Sequence, residues 1–138
     1  MHYVFDLTIL PTNLVDNPAL CSIKLGAGII KHATIVFPAG VRRKIRCYVA
    51  MASKQIMPTN QDSYYSEDNY VVEAPFYIKM SEESNELWFV AWSVGSGYNH
   101  NLRLMLEVQG VDEPSPEESI RVLGSAIEAL VTKLRSWL

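Results

Sequence analysis

The chain has 138 residues, of which 49% are hydrophobic and 20% charged, and its net charge is −3 at pH 7. Disordered proteins are poorer in apolar side chains, so this composition predicts one globular domain with a packed core. Because basic residues are not in excess, we expect no nucleic-acid partner. No stretch reaches the roughly 18 apolar residues of a membrane span, and the first residues do not resemble a secretion signal. We therefore expect a soluble chain with no membrane partner and no signal peptide.

Strands are predicted for most of the chain, because apolar residues recur with a period of two from the start to about Val108. In the third predicted strand we expect Ile29, Ala33, Ile35 and Phe37 to share one face. The predicted strands, in chain order, are 3–9, 20–25, 29–37, 45–51, 55–58, 70–80, 87–92 and 101–108.

Three further features of this stretch refine the prediction. Pro75 interrupts 70–80 and indicates an edge strand or a bulge, since proline has no amide hydrogen for a ladder. Residues 87–92 are apolar on both faces, which is typical of a central strand. The run Arg42-Arg43-Lys44 is basic and is expected to lie at a corner between two strands.

Seven or eight short strands separated by turn residues favour an antiparallel β-sandwich or jelly roll, a mainly β fold. The alternating pattern ends near residue 109. We therefore predict a sandwich over 1–109, a connector over 110–114 and an amphipathic α-helix over 115–138.

The C-terminal helix has a clear start and a continuous apolar stripe. Ser115 is a suitable N-cap, Pro116 suits the first helical position, and Glu118 completes a capping box. Apolar residues then recur at spacings of three and four, as on one face of a helix or in a heptad. Two interpretations stay open: the stripe covers the chain's own sandwich, or it joins copies into a homo-oligomer, with a trimer favoured. The residues predicted for self-association or helix packing are Ile120, Leu123, Ile127, Leu130, Leu134 and Trp137.

Residues that carry catalysis or bind metals are sparse and scattered. The three histidines, His2, His32 and His100, lack the spacing of a zinc site, and no nucleophile motif is present. Cys21 and Cys47 are expected to be buried apolar residues, with a disulfide between them as the alternative. We therefore expect no enzyme activity, no catalytic residue, no metal and no cofactor.

The polar loop over 59–69 suggests two ligand hypotheses. Its acidic residues could hold calcium, although their spacing is not that of an EF-hand and a solvated turn is the simpler interpretation. Its tyrosines could instead join tryptophans in a platform on which a sugar ring stacks. The candidate calcium ligands are Asp62, Glu67, Asp68 and Asn69, and the candidate platform is Tyr64, Tyr65, Tyr70, Tyr98, Trp88 and Trp92. Within this set, the ligand loop is predicted to comprise Tyr64, Tyr65, Asp68 and Tyr70. The two tryptophans are also expected to lie under another layer of protein.

The layout of residues 3–108 resembles that of small β-sandwich structural proteins of tailed-phage virions. The resemblance rests on Phe37-Pro38-Ala39-Gly40 at a strand end, on the extended run 56–60, and on the Tyr- and Asp-rich loop 64–70. It implies a non-catalytic homo-oligomer located in the virion, where it binds other virion proteins as a capsid-decoration, tail or adaptor component. The alternative is a carbohydrate-binding or adhesion module, a cytoplasmic, soluble protein with a glycan partner.

Overall fold

The fold was analysed in a computed structural model, which describes residues 1–110 and 127–135. The described part contains strands that match the predicted ones closely, followed by a helix α1 over 127–135. The strands are β1 (His2–Ile9), β2 (Ala19–Lys24), β3 (Gly28–Phe37), β4 (Ile45–Met51), β5 (Lys54–Met57), β6 (Tyr70–Met80), β7 (Glu86–Ser93) and β8 (His100–Gly110).

The strands form two antiparallel sheets of four, in the orders β1-β8-β3-β6 and β2-β7-β4-β5. β1 pairs with β8, β2 with β7, β3 with β6 and β4 with β5. These four pairs are those of one long hairpin that has been rolled up, so that consecutive strands lie in opposite sheets except for β4 and β5, which form the closed end of the hairpin. This is the jelly-roll arrangement, and it confirms the predicted mainly β sandwich.

The core lies between the two sheets and is built from alternate residues of each strand. Ile35 and Phe37 of β3 and Leu87 and Phe89 of β7 all belong to it and are almost completely buried. β7 lies between β2 and β4 and is buried on both faces, as its sequence predicts. Each sheet therefore has one face in this core and one outer face.

The predicted core face of β3 is wrong at its first residue. Ile29 is only partly buried, whereas Ile30 is 1% exposed and points into the core with Ala33. The reason is an irregularity between Ile30 and His32, where β3 shifts its register against both neighbours and resets the alternation. Pro75 pairs with His32 at this point, and β6 is an edge strand, so its predicted position is confirmed.

Polar side chains pair across β1 and β8 on the outer face of the first sheet. Arg103 on β8 donates from Nε to Asp6 on β1 across 2.8 Å. This hydrogen bond and the positive charge of Arg103 lower the pKa of Asp6 below its usual value. Thr8 and Asn101 form a second side-chain hydrogen bond across the same strands, 2.6 Å long. On the same face, Val4 of β1 is 55% exposed and pairs with Met105 of β8.

The two cysteines are free. Cys21 lies on β2 beside Phe89, and Cys47 lies on β4 beside Ala91, so β7 separates them. Two strand spacings amount to roughly 9–10 Å, which exceeds the Cα separation of a disulfide. Burial raises the pKa of the Cys47 thiol above its usual value. Cys47 is therefore a small apolar core residue.

The predicted C-terminal helix is described only in part. Residues 127–135 are helical, and β8 ends at Gly110. The predicted connector from residue 111 onward, the helix start at 115–118, and Ile120, Leu123 and Trp137 lie outside the described residues. In the described residues, no helix has the length and apolarity needed to cross a membrane.

Candidate functional site

The outer face of the second sheet carries an open groove of about 1000 Å³, which we call the aromatic groove. Its floor is the outward face of β4 and β7. One wall is the loop between β1 and β2, and the other is the loop that follows β5. The lining residues are Arg46, Tyr48 and Ala50 with Val90 and Trp92 on the floor, Leu14, Val15, Asp16 and Pro18 on one wall, Gln61, Asp62, Ser63 and Tyr64 on the other, and Ala52, Ser53, Gln55 and 93–95 at the ends.

Three aromatic rings form the centre of the groove. The ring centroid of Trp92 lies 6.0 Å from that of Tyr48 and 5.8 Å from that of Tyr64, and both pairs meet edge to face. The Arg46 guanidinium lies 4.4 Å from the centroid of Tyr64. Arg46 and Trp92 are register partners on β4 and β7, so the pleat itself directs both side chains outward.

The neighbours Tyr64 and Tyr65 lie on opposite sides of the second sheet. The backbone of Tyr65 pairs with Cys47 of β4 through two hydrogen bonds, of 3.0 and 2.9 Å. Tyr65 thus continues the pairing along β4 past the end of β5. Successive residues of such a segment point to opposite faces. Tyr65 therefore packs against the core, where burial and then the neighbouring Cys47 raise the pKa of its phenol. Tyr64 faces the groove and is 40% exposed.

The wall that carries Tyr64 is fixed by one buried side chain. Gln55 is 8% exposed, and its Nε2 donates to the carbonyl oxygens of Pro58 and Ser63 across 2.8 Å each and to that of Asn60 across 3.2 Å. The amide nitrogen carries two hydrogens, so two of the three carbonyl oxygens share one hydrogen. Gln55 therefore positions the loop after β5, a role that the sequence analysis did not assign to it.

The opposite wall is docked on the end of β7. The Ser93 amide donates to the carbonyl oxygen of Asn13 across 2.6 Å. The Asn13 side chain accepts from the Leu10 amide across 2.8 Å and donates to the Asn17 carbonyl, which holds the loop in a closed turn. The groove is therefore assembled from segments that are far apart in the sequence.

The two tryptophans expected under another layer are covered to different extents. Trp92 is 8% exposed, and Tyr48 and Tyr64 contact it, while Trp88 is partly buried further along β7. In the described residues, the groove walls provide this cover for Trp92. Val90, between the two tryptophans, is buried as well.

The remaining candidates of the ligand loop do not join Tyr64. Tyr70 begins β6, pairs with Phe37 in the other sheet and is 56% exposed. Asp68 accepts hydrogen bonds from the amides of Gly40 and Arg42 and so caps that turn. Tyr98 lies outside the groove, on the turn before β8.

The candidate calcium ligands are likewise apart, since Asp62 faces the groove and Asp68 caps the turn. Among the described residues, no group of three or more metal-ligating side chains comes together. Asp62 and Asp68 are therefore not brought together as ligands of one calcium site.

The described part of the self-association stripe is exposed. Ile127, Leu130 and Leu134 are 54%, 59% and 60% exposed, and they share one face of α1. Glu128, Thr132 and Arg135 occupy another face, and the Thr132 hydroxyl donates to the Glu128 carbonyl across 3.0 Å. Three large apolar side chains on one exposed helix face form a surface suited to association.

Chemically, the aromatic groove has a largely apolar floor that also carries Arg46, one mostly apolar wall that contains Asp16, and one mostly polar wall. Aromatic rings bury the C–H face of a flat or cyclic ligand. Carboxylates at Asp16 and Asp62 and the amide of Gln61 offer hydrogen-bond partners at the rim. This arrangement is suited to binding a flat or cyclic ligand that carries hydrogen-bonding groups.

No protein-family model matches the chain, and no curated protein matches it. Among solved structures it is similar to the C-terminal CBM6 of LamC, a marine laminarinase from Zobellia galactanivorans. The TM-score is 0.33 and the identity 10%, over 76% of this chain and 91% of that chain. It is also similar to an exo-β-1,3-galactanase from Phanerochaete chrysosporium solved with galactose. Here the TM-score is 0.32 and the identity 12%, over 78% of this chain and 27% of that chain.

The chain thus spans only 27% of the galactanase. At these TM-scores the two similarities carry no argument about function.

Proposed function

We propose that this chain is a non-catalytic structural protein that assembles into homo-oligomers and forms part of a virion, as a capsid-decoration or tail-adaptor component. The observation that carries the proposal is the exposed stripe of α1, formed by Ile127, Leu130 and Leu134. Isolated short helices are marginal in water, so a helix with an open apolar face gains stability from a partner. A second copy of the same helix supplies a matching face, and a closed trimer satisfies every copy equally.

The virion part of the proposal has a different support. It rests on the resemblance of the layout of residues 3–108 to that of tailed-phage structural proteins, and a rigid jelly roll suits a protein present in many copies. Its partners in the particle would be other virion proteins. The test is to purify particles of a phage whose genome encodes this chain. We expect the chain to sediment with intact particles in many copies, and its complete absence from them would contradict the proposal.

The association itself is tested by charge insertion. The double variant Ile127→Asp and Leu130→Asp places carboxylates on the stripe, so we expect the oligomer to dissociate to monomers in analytical ultracentrifugation. The matched control is Thr132→Asp with Arg135→Gln, which changes the net charge equally on the other face of α1 and should leave the oligomer intact. An unchanged mass for the stripe variant, with the sandwich still folded by circular dichroism, would contradict the proposal.

A second candidate function is binding of a saccharide in the aromatic groove. It is favoured by the cluster of Tyr48, Tyr64 and Trp92 beside the polar residues of the rim. Sugar rings present an apolar C–H face to aromatic rings and hydroxyls to carboxylates and amides. This function is compatible with assembly, because the groove lies on the sandwich and the stripe lies on α1.

Glycan arrays followed by calorimetry test the second candidate. Tyr64→Ala should reduce saccharide affinity by about tenfold or more, because it removes the most exposed ring of the groove. The control is Tyr77→Ala, which removes an exposed ring from β6 of the other sheet, where it contacts Lys31. If the wild type binds no glycan, or if both variants weaken binding equally, the groove is not a saccharide site.

A further inference from the structure

A second, smaller pocket of about 370 Å³ lies at the end of the sandwich, where the turn after β3 meets the turn before β8. We call it the basic corner, because Arg42, Lys44 and His100 line it together with Ser96, Gly97 and Tyr98. Residues 93–95 end the aromatic groove and Ser96 begins this pocket, so the two sites adjoin. The basic run that the sequence places between two strands is thus part of a concave surface.

The turn after β3, which forms one side of the basic corner, has an unfavourable backbone conformation. Arg42 and Arg43 have φ values of 55° and 58°, in the left-handed region that side-chain-bearing residues avoid. Asp68 Oδ1 accepts from the amides of Gly40 and Arg42 across 3.1 and 2.8 Å, and Ser66 Oγ donates to the Arg43 carbonyl across 2.8 Å. Residues held in such conformations concentrate at functional sites, which makes this turn a candidate.

The cations of the basic corner lack carboxylate partners in the described residues. The Asp6–Arg103 ion pair lies elsewhere, on the outer face of the first sheet. Within 1–110 and 127–135, the one hydrogen bond of the Lys44 ammonium goes to the Gly95 carbonyl oxygen, across 3.4 Å. Asp68, the carboxylate beside the turn, is already engaged by backbone amides. Positive charge is therefore left unneutralised in a chain whose net charge is −3.

Ser96 and His100 are joined by a side-chain hydrogen bond, with 2.8 Å between Ser96 Oγ and His100 Nε2. The Tyr98 carbonyl oxygen lies 3.0 Å from the same hydroxyl. The imidazole tautomer decides which group donates in the Ser96–His100 contact. Ser96 is 8% exposed and also donates its amide to Ser93 Oγ. This network fixes the imidazole at the wall of the pocket.

We infer that the basic corner is a binding site for an anionic group, a phosphate or a carboxylate, held by Arg42 and Lys44 with His100 at the wall. Guanidinium and ammonium groups form short, charge-assisted hydrogen bonds with such oxygens. The pocket is large enough for one such group and the part of a ligand attached to it. Because the aromatic groove adjoins it, a ligand with an apolar ring and an acidic group fits both surfaces. The inference does not depend on either proposed function.

The experiment titrates uniformly labelled protein with inorganic phosphate and, separately, with acetate at constant ionic strength, and follows the amide of Gly97 and the imidazole of His100 by NMR. We expect saturable shifts with a dissociation constant in the low-millimolar range or tighter. A phosphate affinity above that for acetate indicates a phosphate-bearing ligand, and the reverse order indicates a carboxylate-bearing one. No saturable shift with either anion would overturn the inference.

Two adjacent arginines provide matched variants. Arg42→Gln removes a charge that lines the pocket, and we expect affinity to fall by about tenfold. Arg43→Gln removes the same charge from the same backbone conformation, but Arg43 does not line the pocket. Its affinity should stay within about twofold, since an exposed charge at a distance is screened. Equal losses in the two variants would mean a general field effect and would overturn the site.

Discussion

Replacing Gln55 with glutamate tests how the aromatic groove is built. The substitution keeps the shape of the side chain but exchanges its amide donor for a carboxylate, which then faces the carbonyl oxygens of Pro58, Asn60 and Ser63 at 2.8 to 3.2 Å. Each lost hydrogen bond costs about 1 kcal/mol net, and a buried unpaired charge adds at least one to two more. At pH 7 we therefore expect Gln55→Glu to lower the free energy of unfolding by about 3–5 kcal/mol.

Urea denaturation measures this loss, and its pH dependence provides a second check. Repulsion from the carbonyls raises the pKa of the new carboxyl in the fold, so the loss is greatest above that pKa. It should shrink as the pH falls towards about 4, where the protonated group regains a donor. The control is Gln61→Glu on the exposed part of the same loop, for which we expect a change within about 0.5 kcal/mol. If both variants are equally stable at pH 7, Gln55 does not hold the loop.

Two further substitutions test the core and the sheet. The buried thiol of Cys47 has a raised pKa, so above about pH 9 the unfolded chain loses its proton while the fold retains it. The free energy of unfolding should then fall by about 1.4 kcal/mol per pH unit on this account alone, and Cys47→Ala should lack that part of the slope in urea titrations. An equal dependence of the free energy of unfolding on pH in the wild type and in Cys47→Ala would contradict the raised pKa of Cys47.

In Gly28→Ala, the new Cβ would lie 2.7 Å from the Gln109 carbonyl oxygen, so we expect a loss of about 1–3 kcal/mol by thermal denaturation. Gly26→Ala, which meets open space, should cost about 1 kcal/mol or less, and an equal loss in both would refute the close approach.

Most of the fold was predictable from the sequence because strand signals are local. Alternation located the strands to within a residue or two, and the apolar run 87–92 correctly predicted a central strand. The face of Ile29 was not predictable, because the register shift beside it depends on pairing with two other strands. The order of strands within each sheet also depends on pairing, which no single segment encodes.

The candidate sites were less predictable, because they are formed by tertiary contacts. Nothing in the adjacent pair Tyr64 and Tyr65 indicates that one lines a groove and the other packs on the core, since this follows from pairing with Cys47. The anchoring role of Gln55 appears only once its loop is folded. Arg42 and Arg43 were recognisable in the sequence as part of a basic run between two strands. Their left-handed backbone conformation was not predictable, because asparagine or glycine usually marks such turns.

The measurement that tests the central claim most directly is the absolute mass of the protein in solution, by light scattering coupled to size exclusion across concentration and ionic strength. A homo-oligomeric structural protein should elute as a stable trimer, at three times the 15.6 kDa of one chain. Because its interface is apolar, this mass should persist at high salt. A mass of 15.6 kDa at every concentration would contradict assembly through α1.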